Sequence, residues 1–181
     1  MSDRPGQADL VRAMADATRK AVSSLFRQHP EQFYYCALVT TGEAHAPLLS
    51  AWSKEALDAA SARESDPLAA RQALKWSYAD SPYCGFGEDY YADVKSLFSR
   101  RPALSTSDPE GWKREWQFRV DAMEAAMATL DREGLFGQAA ERSRIFINVE
   151  VAPPDASNTA RAARLNPAEA LQAWLAEASE S

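Results

Sequence analysis

Six apolar residues, Trp112, Trp116, Val120, Met123, Met127 and Leu130, recur at intervals of 4, 4, 3, 4 and 3 positions. That spacing draws one continuous stripe along a helix. It commits the chain to a long amphipathic helix that has to bury one side. Asp108-Pro109 supplies an N-cap and a first-turn proline, and Gly134 fits the position that ends such a helix. Phe33 to Thr41, a run of aromatic and β-branched residues closed by Gly42, reads as the clearest strand.

The remaining elements follow from period and punctuation. Asp9 to Gln28 reads as a helix with Leu10, Met14, Ala17, Ala21 and Leu25 on one face, stopped by His29-Pro30. Pro47 to Trp52 reads as a strand returning antiparallel. Ser53 is the N-cap of a helix to Arg63, and Asp66-Pro67 starts a short helix to Gln72. Ala73 to Tyr78 alternates apolar and polar, as a half-buried strand would. Tyr90 to Arg100 reads as a helix. Arg144 to Val151 reads as a strand with Ile145, Ile147, Val149 and Val151 on one face. Asp155 to Leu165 is polar and loop-like, and Asn166-Pro167-Ala168-Glu169 begins a last helix to about Ala178.

These elements predict one α+β domain over residues 1–181, with ends 1–8 and 179–181 flexible. Its sheet is small and mainly antiparallel, with three to four strands: Phe33 to Thr41, Leu48 to Trp52, Ala73 to Tyr78, and Arg144 to Val151. Helices are expected on one face of it. The 181 residues suit one domain, and 46% apolar with 25% charged residues is ordinary globular composition.

Charge and composition exclude several function classes. A net charge of −6 argues against nucleic-acid binding. Met1 to Gln7 has no apolar signal core, and the longest uncharged run, Phe33 to Gly42, is only strand length, so the chain reads as cytoplasmic. Cys36 and Cys84 then read as reduced thiols. The 35 Ala, and 15 Arg against 5 Lys, fit a GC-rich bacterial genome. No phosphate loop, Gly-x-Ser-x-Gly, Cys-x-x-Cys or His-Glu-x-x-His occurs. Two His and two Cys without ligand spacing leave no expected metal site, and no cofactor is expected.

Three features invite chemistry. Cys84, in a loop, could act as an exposed nucleophile, though a small residue beside the core explains it as well. Glu88, Asp89 and Asp93 could do acid–base work, yet acids in a first turn are what the helix dipole favours. The densest feature is Trp76 to Tyr91, with six of the eighteen aromatics in sixteen residues, Asp80, Glu88 and Asp89, and no basic residue. Rings fill pockets and acids steer a basic partner. Core packing competes with that reading. Trp76, Phe86 and one of Tyr90 and Tyr91 are expected inside, while Tyr78 and Tyr83 are expected outside.

The pattern also carries a resemblance. Phe33-Tyr34-Tyr35-Cys36-Ala37-Leu38 resembles the FYxxAL first strand of an uncharacterised bacterial domain-of-unknown-function family. Leu74-Lys75-Trp76-Ser77 with Ser81-Pro82-Tyr83 resembles its LRWxP…WPY segment. Leu130 to Gly137 resembles its LxxxGxFG turn before the last strand. The resemblance covers roughly residues 10 to 175 and implies no catalytic role. In style, such small acidic domains resemble immunity proteins.

Three functions are therefore weighed. The first is a non-enzymatic, immunity-like interaction protein that binds a basic, toxin-like protein through Tyr78, Asp80, Tyr83, Glu88 and Asp89. The second is a small-molecule binder or enzyme using Cys84 or the Glu88, Asp89 and Asp93 carboxylates. The third is a homodimer that buries the Trp112/Trp116 helix face. No nucleic acid and no membrane is expected as partner.

Overall fold

Caps decide where the helices begin. Ser53 Oγ accepts the Ala56 N–H at 2.9 Å, Asp66 Oδ1 the Ala69 N–H at 3.1 Å, and Asp108 Oδ1 the Gly111 N–H at 2.9 Å. Each satisfies a donor that the helix itself leaves open. The computed structural model describes residues 4–178. Within them run α1 (Gln7–Gln28), β1 (Phe33–Thr41), β2 (Leu48–Ser53), α2 (Lys54–Ser61) and α3 (Pro67–Leu74). A 3-10 turn, Glu88–Tyr91, leads into α4 (Ala92–Ser99) and then α5 (Pro109–Arg132). After a second 3-10 turn, Ala139–Arg144, come β3 (Phe146–Ala152), α6 (Ala156–Leu165) and α7 (Ala168–Glu177). Gly134, at φ +81°, takes the left-handed turn that ends α5.

The protein is a single-domain α+β fold with a three-stranded sheet in the order β2-β1-β3. β1 pairs antiparallel with β2, placing Cys36 opposite Ala51 and Leu38 opposite Leu49. It pairs parallel with β3, placing Cys36 beside Ile147 and Leu38 beside Val149. The sheet is therefore mixed, with one pairing of each kind. The long connection through α2 to α5 makes the parallel pairing possible.

Both faces of the sheet are covered, where helices were expected on one. On the side of Ile147, Val149 and Val151 lie α5 and α1; Val120 packs on Val151, and Trp116 Nε1 donates to Gly42 O at 3.0 Å. On the other side Phe146 stacks on Trp174 of α7 with ring centroids 4.8 Å apart, and Trp76 meets Phe146 edge-on at 5.8 Å. The predicted stripe is the core side of α5: Val120, Met123, Met127 and Leu130 are buried, while Trp112 and Trp116 stack half-buried at its start. Each fully buried side chain of this size contributes about 1.5–3 kcal/mol.

Two expectations need correction. Ala73 to Tyr78 is not a strand. Ala73 and Leu74 complete α3, Lys75 N donates to Arg71 O at 3.2 Å, and the chain then turns. The helical ladder has already consumed the backbone groups a strand would need. Asp155 to Leu165 is not a loop, because Asp155 Oδ1 accepts the Ser157 N–H and caps α6. Of the ends 1–8 and 179–181, Gln7 and Ala8 lie in the first turn of α1, and residues 1–3 and 179–181 lie outside the described residues.

Candidate functional site

The aromatic and acidic segment Trp76–Tyr91 owes its course to the open edge of β2. Trp52 Nε1 donates to Ser77 O at 2.7 Å and Ser50 Oγ to Tyr78 O at 2.8 Å. Ser81 Oγ donates to Ala51 O, and Gly85 N to Leu49 O at 2.8 Å. Strand carbonyls that lack a neighbouring strand are thus answered by the segment itself.

This anchoring sorts the predicted partner residues. Asp80 is exposed and accepts from Ser77 Oγ at 2.5 Å. Glu88 is exposed and paired with Lys95 at 2.5 Å, which lowers its pKa, the hydrogen bond being the main cause. Asp89 is exposed, and Tyr78 is half-buried. Tyr83, expected outside, is only 8% exposed. Its hydroxyl donates to Glu31 Oε2 at 2.8 Å, and its ring lies 4.8 Å from His29 and 5.6 Å from Phe33. Burial and the Glu31 carboxylate push its pKa up to about 12. A ring held in this way packs with the core, which corrects the expectation that Tyr83 lies outside. Trp76 and Phe86 pack against the core and Tyr91 is buried, while Tyr90 is 43% exposed.

The other candidates are placed apart. Cys84 is half-buried and burial raises its pKa, the opposite of an activated thiol. Cys36 is fully buried, with its pKa pushed up to about 12 by desolvation. His45 Nδ1 lies 2.8 Å from Thr41 Oγ1, far along the chain and the sheet from the His29–Tyr83 contact. Among the described residues no cluster of three His, Cys, Asp or Glu is placed to hold a metal. No helix of the described residues is long and apolar enough to cross a membrane.

Reading the sequence for exposed features missed the polar side of β3. Asn148 is fully buried and Glu150 is 9% exposed, on the side opposite Ile147 and Val149. Burial raises the Glu150 pKa to about 7, opposed by Tyr35, Arg161 and Asn148. Glu150 lines a cavity of about 290 Å³ together with Trp76, Tyr78 and Trp174. The only sequence signal was a carboxylate and an amide set between Ile147, Val149 and Val151. In a half-buried strand that pattern reads as the solvent side.

No curated protein and no solved structure matches the chain. The domain of unknown function DUF4303 matches residues 14–167, which include all three strands and the segment that closes β2. The resemblance read from the strand starts and the turn after α5 thus has its counterpart in a whole-domain match, and the chain belongs to the DUF4303 family.

Proposed function

We propose that this protein is a non-enzymatic interaction protein of immunity-like type. It acts in the bacterial cytoplasm and binds a basic protein through the exposed rim of the Trp76–Tyr91 segment. The observation that carries the reading is the pairing of exposed acids with a fixed backbone: Asp80 and Asp89 are exposed on a segment tied to β2 through Ser77, Tyr78, Ser81 and Gly85. Charges already held in place lose little freedom on binding and speed encounter with a basic surface. With Tyr83 inside, the aromatic contribution falls to Tyr78 and the exposed ring of Tyr90.

The test takes the product of the gene beside this one, if basic, as partner in a surface-binding measurement. Asp80→Lys with Asp89→Lys should slow association about tenfold and flatten its salt dependence, with dissociation little changed. An unchanged association rate in the folded double variant defeats the reading. The small-molecule alternative, first read on Cys84 or on Glu88, Asp89 and Asp93, also gains support from the Glu150 cavity. The homodimer alternative would use Trp112, since Trp116 is already bonded to Gly42 O.

A further inference from the structure

Strand β3 carries two polar side chains, Asn148 and Glu150, on the side of the sheet where α7 packs. Burying a carboxylate is costly unless a cation or several donors answer it. Here both are met only in part. Among the described residues no Lys, Arg or His nitrogen lies within ion-pair distance of Glu150. The cation that favours its charge, Arg161 of α6, is engaged elsewhere: Nε donates to Val149 O at 2.8 Å and a terminal nitrogen to Asn158 Oδ1. Tyr35 of β1 and Asn148 of β3 lie close enough to stabilise the carboxylate. Even so, the Tyr35 hydroxyl and Asn148 Oδ1 have no partner in good hydrogen-bond geometry. Such groups are rare in folded interiors and call for a reason.

The carboxylate is not sealed in. It faces a cavity of about 290 Å³, walled by Trp76, Tyr78 and Trp174 and edged by Pro154 and Asn158. That is about ten waters by liquid volume, at the small end for a ligand site. One anionic group among aromatic walls discriminates by charge. The carboxylate neutralises a cation, and the rings tolerate a partly desolvated ammonium as they would not an anion. Trp76 and Trp174 are fixed from behind: Trp76 Nε1 donates to Glu177 Oε2 at 2.8 Å, and Trp174 stacks on Phe146. The walls therefore exist before any ligand arrives.

We propose that the Glu150 cavity binds an organic ammonium ion with a small apolar body, with Glu150 as counter-ion and the Tyr35 and Asn148 side chains beside that carboxylate. The site shares the Tyr78 wall with the protein-binding rim but needs none of Asp80, Glu88 or Asp89, so either reading can fail alone.

The experiment titrates the full chain at neutral pH with benzylamine, followed by tryptophan fluorescence and calorimetry. Benzyl alcohol serves as the uncharged control. N-acetyl-lysine amide stands for a lysine side chain presented by another protein. Saturable one-to-one binding of benzylamine is expected, at least tenfold weaker in Glu150→Gln, with no binding of benzyl alcohol. Tighter binding of the lysine amide, lost in the same variant, keeps the cation site and identifies a protein lysine as its occupant. The proposal is overturned if neither amine binds, if Glu150→Gln binds unchanged, or if benzyl alcohol binds as well as benzylamine. Should Glu150→Gln not fold, Tyr78→Leu at the half-buried wall replaces it, and unchanged benzylamine binding there overturns the proposal equally.

Discussion

The two free edges of the sheet are closed in different ways. On β2, the outward carbonyls of Leu49 and Ala51 are met at close range by the Gly85 N–H and the Ser81 hydroxyl. On β3, long polar side chains imitate a missing strand. Asn158 accepts the Val151 N–H at 2.9 Å and donates to Val151 O at 3.1 Å. Asn166 does the same for Ile147, at 2.8 and 2.6 Å, and Arg161 Nε covers Val149 O. Both devices protect an edge from pairing with another chain. The difference lies in reach. A serine hydroxyl draws its segment onto the strand, whereas Asn and Arg hold α6 one side-chain length away, and the cavity bounded by Glu150, Val151 and Asn158 lies along that gap.

Breaking the β3 edge should have the largest effect. Asn158→Ala removes both bonds to Val151 and frees the Arg161 terminal nitrogen, all in buried surroundings. A loss of about 3–4 kcal/mol is expected, read by urea unfolding. A loss below about 1 kcal/mol would mean that water replaces the side chain and the edge is less sheltered than its burial implies.

The carboxylate beside that edge sharpens the contrast through pH. Glu150 has its pKa raised from 4.5 to about 7, first by desolvation. The native state therefore favours the protonated form. The stability this group allows is complete below pH 4.5 and declines as pH rises through about 7. Wild type should lose roughly 2–3 kcal/mol between pH 5 and 8 from this group, and Glu150→Gln should remove that slope. Identical pH profiles for the two proteins would show that Glu150 ionises as freely folded as unfolded.

The β2 edge should yield least. Ser81→Ala deletes one hydroxyl that bridges Ala51 O and the Tyr83 N–H. A cost of about 1–2 kcal/mol is expected. A cost equal to that of Asn158→Ala would erase the distinction between the two edges.

How much of this was legible varies with how local each cause is. Asp108, Pro109 and Gly134 bound α5 because a cap acts within a turn of the residue that makes it. Ser53 and Asp66 start α2 and α3 for the same reason. Ala73 to Tyr78 misled because alternation over six residues is compatible with the last turn of a helix and the turn that follows it. Tyr83 misled because a loop position suggested exposure, whereas its hydroxyl had a partner 52 residues earlier in Glu31. Glu150 was invisible because its strand's second face is covered by helices that follow it in the chain.

By itself, the sequence determined the bounds and apolar side of α5, the capped starts of α2 and α3, and the β1–β2 hairpin. Each of these depends on residues within a few turns of one another. Only the tertiary structure decided that β3 lies parallel beside β1, that Asn158, Arg161 and Asn166 serve as a strand's worth of donors and acceptors, and that Glu150 faces an aromatic cavity. The reason is physical: backbone groups at a sheet edge and carboxylates in an interior take whichever partners the packed chain brings to them, and local sequence does not specify what those are.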